Sequence, residues 1–213
     1  MRSFFKGSSD QRVAEPRVPR SSSGWADLYK YLQTVDSLRV LDVGATSANN
    51  INFLTNLGHS VYMANFVEDA AKPEWVIADH GPDAAPGATR LNVEGFVAEN
   101  MNFSGRQFDV ILLWDTLDFL PVELVAPLVT RLHEVMAPGG RLLGFFHTKL
   151  LPAETHFSRY HLTEQNQVEM QKVGKYPLVQ VFQNRQIERL FQAYSNYKFF
   201  LAKDNLAEVI VTR

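Results

Sequence analysis

The chain is predicted to fold as an α/β protein, a three-layer αβα sandwich around a mostly parallel sheet. From Arg39 onward, short apolar runs alternate with helical stretches, the pattern of parallel strands joined by crossover helices. Phe-Asp-Val-Ile-Leu-Leu-Trp at Phe108–Trp114 is the unbroken apolar run of a strand covered on both faces. Leu-Asp-Val-Gly at 41–44 leads through a short turn into a helix. That arrangement presents backbone N–H groups and a helix N-terminus at the carboxyl end of a first strand.

Composition bounds what the fold can do. With 213 residues, 46% of them hydrophobic, the chain is long enough for one well-buried core. A formal net charge of −2 argues against a surface built to neutralise phosphate backbones, so no nucleic-acid partner is expected. The absence of cysteine removes disulfides, zinc-thiolate sites and thiol nucleophiles. Six histidines without close spacing do not make a metal site. No apolar run reaches the roughly 20 residues of a spanning helix, and the first 24 residues lack the apolar core of a signal peptide. No membrane association and a cytoplasmic address are the resulting expectations.

Taken in order, residues 1–24 carry five basic and two acidic side chains among Ser, Pro and Gly. They read as a flexible basic arm, and a single domain is expected over 25–213. Trp25, Leu28, Tyr29, Tyr31 and Leu32 fall on one side of a first helix that ends before Ser37. Arg39–Val43 is the first strand, 50–57 the first crossover helix, and 60–65 the second strand. Residues 67–90, interrupted by Pro73, Pro82 and Pro86, read as a long loop with a short strand near 75–78. A helix over 91–100 precedes the strand Phe108–Trp114. Pro121 opens the next helix, with Leu124, Val125, Leu128, Val129, Leu132 and Val135 as its apolar stripe. Pro-Gly-Gly at 138–140 ends it before a strand over 141–147. Strand-like pieces at 168–173 and 178–182, a helix over 186–194 and a hairpin of 197–201 with 206–212 complete the chain.

The order of the pieces is more specific than any one of them. Phe-Asp before a hydrophobic strand, Trp-Asp-Thr-Leu-Asp-Phe-Leu after it, a helix ending Met-Ala-Pro-Gly-Gly, a strand Arg-Leu-Leu-Gly-Phe-Phe and a closing hairpin resemble the class I S-adenosylmethionine-dependent methyltransferases over about 25–213. The resemblance implies a Rossmann-like sheet of seven strands with the last antiparallel, and S-adenosyl-L-methionine as cofactor. It also implies where the cofactor contacts fall. Asp42 is the acid ending the first strand and Gly44 the first glycine of the loop. The next two glycine positions hold Thr46 and Ala48, and a β-branched threonine puts a side chain where the cofactor approaches. Thr46 or Ser47 is also suited to cap the following helix. The ribose acid is replaced by Asn65, next to Phe66, with Glu68 and Asp69 as nearby acids. Met101 is expected against the adenine, and Trp114 on the cofactor side of the fourth strand.

For chemistry, Asp115 lies just past the fourth strand at the mouth where an acceptor would sit, and His147 ends the fifth strand at the same mouth. Both are candidate catalytic residues, a histidine near its ordinary pKa being suited to act as a base. Asp118-Phe119 matches a place where many relatives have an acid followed by histidine. His156 and His161 lie on the segment expected to cover the mouth. Methyl transfer is an in-line displacement that needs mainly positioning in a dry pocket. The resemblance therefore implies transfer to a small-molecule acceptor. Because Thr46, Ala48 and Asn65 change together, a binding or regulatory module that has lost its cofactor is the alternative. A nucleotide-dependent oxidoreductase is disfavoured by the missing Gly-x-Gly-x-x-Gly.

Overall fold

The computed structural model describes residues 15–150, 156–201 and 204–213. Strand β1 (Arg17–Ser21) leads into helix α1 (Ser23–Thr34), capped by Ser22, whose hydroxyl accepts from Trp25 N at 3.0 Å. Strand β2 (Arg39–Val43), helix α2 (Ala48–Asn56) and strand β3 (Ser60–Ala64) form the first βαβ unit. Helix α3 (Phe66–Ala70), a 3₁₀ turn (Pro73–Trp75), strands β4 (Val76–Ala78) and β5 (Thr89–Leu91) and helix α4 (Val93–Asn100) make the next crossover. Strand β6 (Phe108–Trp114) is followed by a short α5 (Thr116–Phe119), α6 (Val122–Val135) and β7 (Met136–His147). Strands β8 (His156–Leu162) and β9 (Gln167–Lys175), helix α7 (Asn184–Leu190) and strands β10 (Asn196–Phe200) and β11 (Leu206–Thr212) close the chain.

The main sheet has the order β10-β11-β7-β6-β2-β3. β3, β2, β6 and β7 are mutually parallel, and β11 runs antiparallel to β7 and to β10. This is the Rossmann-like methyltransferase fold, with its reversed last strand. Among the described residues six strands join the ladder rather than seven. Val76–Ala78 is too short to extend it and pairs instead with Thr89–Leu91 in a separate two-stranded ladder.

Alternation along β6 divides the core. Ile111 and Leu113 face a cluster with the stripe of α6 and with Phe146 and Phe191. Val110, Leu112 and Trp114 face the opposite cluster, with Trp25 and Leu28 of α1 and Leu54 of α2. Each fully buried side chain of this size contributes about 1.5–3 kcal/mol, so two layers over one sheet account for most of the fold's cohesion. The helix α6 ends at Val135 and β7 begins at Met136, so Pro-Gly-Gly at 138–140 falls within the strand rather than before it; Gly139, at φ +77°, takes the left-handed conformation where the register of β6 and β7 shifts.

Three features depart from the sequence reading. Ordered structure begins before Trp25: β1 pairs antiparallel with β9, and β9 with β8, in a second, three-stranded sheet. The cause is tertiary. Arg20 is buried, with its guanidinium on Glu208 at 2.5 Å and Asp204 at 2.7 Å. Glu208 also accepts from Gly24 N at 2.6 Å and Ser22 Oγ at 3.0 Å. Residues 1–14 of the expected arm lie outside the described residues. Second, His156–Leu162 is a strand that its mixed polarity conceals. Third, 178–182 forms none, Val179 N and Gln180 N donating instead to Asp118 O. Among the described residues no helix is long and apolar enough to cross a membrane.

Candidate functional site

The carboxyl ends of β2, β6 and β7 converge, and the side chains there bind chiefly to one another. Asp42 ends β2 almost fully buried; its carboxylate accepts from Trp114 Nε1 at 2.6 Å and Asn50 Nδ2 at 2.8 Å. Burial pushes the carboxyl up to about 6, against the lowering effect of those two bonds. Gly44 is the point of close approach, and what approaches is Trp114. A Cβ on Gly44 would lie 2.8 Å from Trp114 Cδ1.

Trp114 adopts φ +52°, which is uncommon for a bulky residue and costs on the order of 1–3 kcal/mol. The Asp42 bond and the packing of the ring hold it there. The indole stacks on Tyr160 of β8, with centroids 4.7 Å apart and planes at 6°, and Phe145 closes the edge at 5.4 Å.

The turn between β2 and α2 explains why Tyr160 sits there. Ser47 caps α2, accepting from Asn50 N at 3.2 Å, and its hydroxyl meets His161 Nδ1 at 2.9 Å. His161 Nε2 faces Gln171 Oε1 at 3.1 Å, so Nε2 carries the proton and Nδ1 accepts. Burial lowers the His161 pKa and favours this neutral form. Asn50 Nδ2 also donates to Tyr160 O, and Asn50 Oδ1 accepts from Leu162 N at 2.8 Å. Asn49 Nδ2 donates to Leu162 O at 2.9 Å. Ser-Ala-Asn-Asn at 47–50 thus docks the backbone of β8 onto the helix start. A glycine loop leaves such a helix start free for a ligand.

The remaining cofactor-side candidates divide. Asn65 caps α3, accepting from Glu68 N and donating to Glu68 Oε2 at 2.7 Å, so its amide is engaged locally. Thr46 is exposed and borders a cavity of about 290 Å³ together with Asn65, Glu68, Arg159 and Tyr176. Phe66 and Met101 are core residues rather than cleft residues. Phe66 packs edge-on against Phe96, and Met101 lies in the same cluster with its carbonyl accepting from Arg131 Nε. In both cases the apolar side chain follows the sheet's covered face instead of its mouth.

The two catalytic candidates come together in one buried group, with Asp118 as an additional member. Asp118 Oδ2 accepts from the His147 backbone N at 2.6 Å and from its Nδ1 at 2.7 Å. Burial drives the Asp118 carboxyl up, and its bonds from His147 oppose the shift. For His147, burial disfavours the imidazolium. The Asp118 bond and the charges of Asp115, Asp118 and Asp204 outweigh it, so the pKa is raised.

Asp115 is pushed up to about 7, mainly by burial, and among the described residues its Oδ1 has no partner. Asp118 Oδ1 and Tyr160 Oη are likewise buried without partners among the described residues, Tyr160 close to Asp115 but outside hydrogen-bonding geometry. Phe119 packs edge-on against His147 at 5.7 Å, and the histidine bonded to Asp118 is the one that ends β7. Ser47 caps the helix as one of the two residues the sequence offered for it, whereas Asn50 and Tyr160 escape sequence reasoning. Only the clustering of small polar residues at 46–50, where glycines were expected, hints at them.

This fold, with a cleft at the strand ends and a reversed last strand, defines the methyltransferase class of Rossmann-like proteins. The sequence matches the methyltransferase domain family over residues 18–195, and the chain belongs to that family. Similar solved structures include 1,6-didemethyltoxoflavin-N1-methyltransferase of Burkholderia thailandensis with S-adenosylhomocysteine bound. It is 16% identical with TM-score 0.45, covering 89% of this chain and 75% of that one. Magnesium protoporphyrin IX methyltransferase of Synechocystis PCC 6803, also with S-adenosylhomocysteine, is 14% identical with TM-score 0.49, covering 90% and 80%. TehB of Haemophilus influenzae is 15% identical with TM-score 0.46, covering 88% of this chain and 62% of its own. No curated protein matches the sequence.

S-adenosylmethionine is the cofactor of this family, and in the arrangement described several of the expected cofactor-side residues are engaged with one another. The face of Gly44 is covered by the Trp114 ring, the first turn of α2 is bound to β8, and Asp42 accepts from two internal donors. The ribose position holds an asparagine already paired with Glu68.

Proposed function

We propose that this methyltransferase-family chain works, in the closed form described, as a binding module whose transfer cleft is filled by its own side chains. One observation carries the reading: the Trp114 indole, hydrogen-bonded to Asp42, lies against Gly44 beneath the Tyr160 ring. Withdrawing both rings into water gives up about 3–6 kcal/mol of burial. Losing the Trp114 bond to a carboxylate adds about 1.5–3 kcal/mol. At about 1.4 kcal/mol per tenfold, a ligand that must first displace them binds roughly a thousandfold to a millionfold more weakly than to an open cleft. Calorimetry and thermal shift with S-adenosylmethionine and S-adenosylhomocysteine test this. The expected result is neither heat nor stabilisation at millimolar ligand, and saturable micromolar binding would contradict it.

The buried group at the mouth favours a second reading, S-adenosylmethionine-dependent methyl transfer to a small-molecule acceptor. Asp115 and His147 stand at the ends of β6 and β7, and His147 is held through Nδ1 by Asp118, an arrangement suited to a base with a fixed tautomer. Buried carboxylate oxygens without partners also support a site that receives something. In this reading Trp114 and Tyr160 leave the cleft before any ligand enters, and Asp115 faces the acceptor. Turnover by the intact chain with a candidate acceptor, lost in His147→Gln, would favour it over the module.

A further inference from the structure

The cavity beside the filled cleft carries two opposite charges that do not meet. Arg159 of β8 and Glu68 at the start of α3 both border it, and no ion pair within 4.0 Å joins them or gives either another charged partner among the described residues. Arg159 Nη1 donates to Gln171 Oε1 at 3.1 Å, while its Nε is buried without a partner among the described residues. Glu68 Oε2 takes one bond from Asn65, leaving acceptor capacity on the carboxylate. The Tyr176 hydroxyl lies near Glu68, whose charge helps burial to raise its pKa. Phe157, edge-on to Tyr176 at 5.9 Å, adds an apolar wall.

A cation and an anion held apart around a space of about 290 Å³ match a ligand that carries both charges. A doubly anionic phosphate would gain from Arg159 but meet Glu68, and a simple amine would do the reverse. We propose that this cavity binds a small zwitterion of the free amino-acid class, its carboxylate on Arg159 and its ammonium on Glu68, with its side chain against Phe157. The guanidinium fork of Arg159 suits a carboxylate, and the Glu68 carboxylate suits an ammonium. This deepens the binding-module reading by naming a ligand class, and it takes from that reading only that the adjoining cleft stays closed.

The test is calorimetric titration of the intact chain with a panel of free L-amino acids at millimolar concentration, with the N-acetyl and carboxamide derivatives of any binder. At least one amino acid is expected to bind, and each derivative to bind about tenfold more weakly or worse, since each removes one charge-assisted contact. Arg159→Gln and Glu68→Gln are expected to cause the same loss while their unfolding midpoints stay near that of the parent chain. Silence across the panel, or binding unchanged in both variants or in both derivatives, overturns the proposal. If S-adenosylmethionine binds and no amino acid does, both this proposal and the filled-cleft reading fall. If neither binds, only this proposal falls.

Discussion

The stretch from β6 to β7 and the turn from β2 to α2 meet at the same end of the sheet, and they relate to the family pattern in different ways. Phe108–Trp114 buries six of its seven residues, and every residue of the α6 stripe is buried. That region is held by many apolar contacts, each replaceable by a side chain of similar size. The turn at 44–50 depends on a few polar atoms: Ser47 on His161, Asn50 on Asp42, Tyr160 and Leu162, and Asn49 on Leu162. Ser47, Asn49 and Asn50, with Trp114, make this turn an internal joint and leave the sheet intact. Fold and site can thus diverge within one domain, because the fold is distributed and the site is not.

Substitutions can break or sharpen this contrast. The largest effect is expected at the far end of the cap: Arg20→Ala leaves Glu208 buried without its cation and should cost about 3–5 kcal/mol in denaturant unfolding. Leu128→Ala, in the apolar region, should cost about 2–5 kcal/mol through its cavity while leaving hydrogen exchange of β8 relative to the rest of the chain unchanged. Asn50→Ala should cost about 2–4 kcal/mol by orphaning Leu162 N and removing a donor from Asp42. Unlike Leu128→Ala, it should speed exchange selectively across 156–175. Equal exchange patterns in the two variants would erase the distinction between the regions.

Smaller effects follow from titration and capping. Asp115 and Asp42 have folded pKa values raised from 3.8 to about 7 and about 6, so the folded state keeps protons that the unfolded chain releases. Stability is therefore full below the unfolded pKa and declines as pH rises from about 4 toward 7. His147, also raised, adds a decline in the same direction as pH passes its folded pKa. Asp115→Asn should flatten that slope in unfolding curves collected across the range, and an unchanged slope would remove Asp115 as its main source. Ser47→Ala, losing the cap and the His161 contact, should cost about 1 kcal/mol.

Much of the fold was legible because apolar periodicity reports burial directly. The bounds of β6 and the stripe of α6 follow from pattern alone, as does the closing hairpin to within a residue. Of the second sheet, the piece at 168–173 was legible and lies within β9, but β1 and β8 were hidden for a physical reason: Arg20 and His161 are polar yet buried through partners far along the chain, which no local pattern reveals. The site was partly legible. Asp42, Gly44, Asp115, His147 and Trp114 do converge, but that Trp114 points back onto Gly44 depends on a positive φ that sequence does not predict for an aromatic residue.

The filled cleft is tested most directly by a crystal structure determined in millimolar S-adenosylhomocysteine. The account predicts Trp114 on Gly44, its Nε1 bonded to Asp42, Tyr160 stacked above it and no ligand at the end of β2. Density for the ligand against Gly44, with the Trp114 and Tyr160 rings displaced from the cleft, would contradict it.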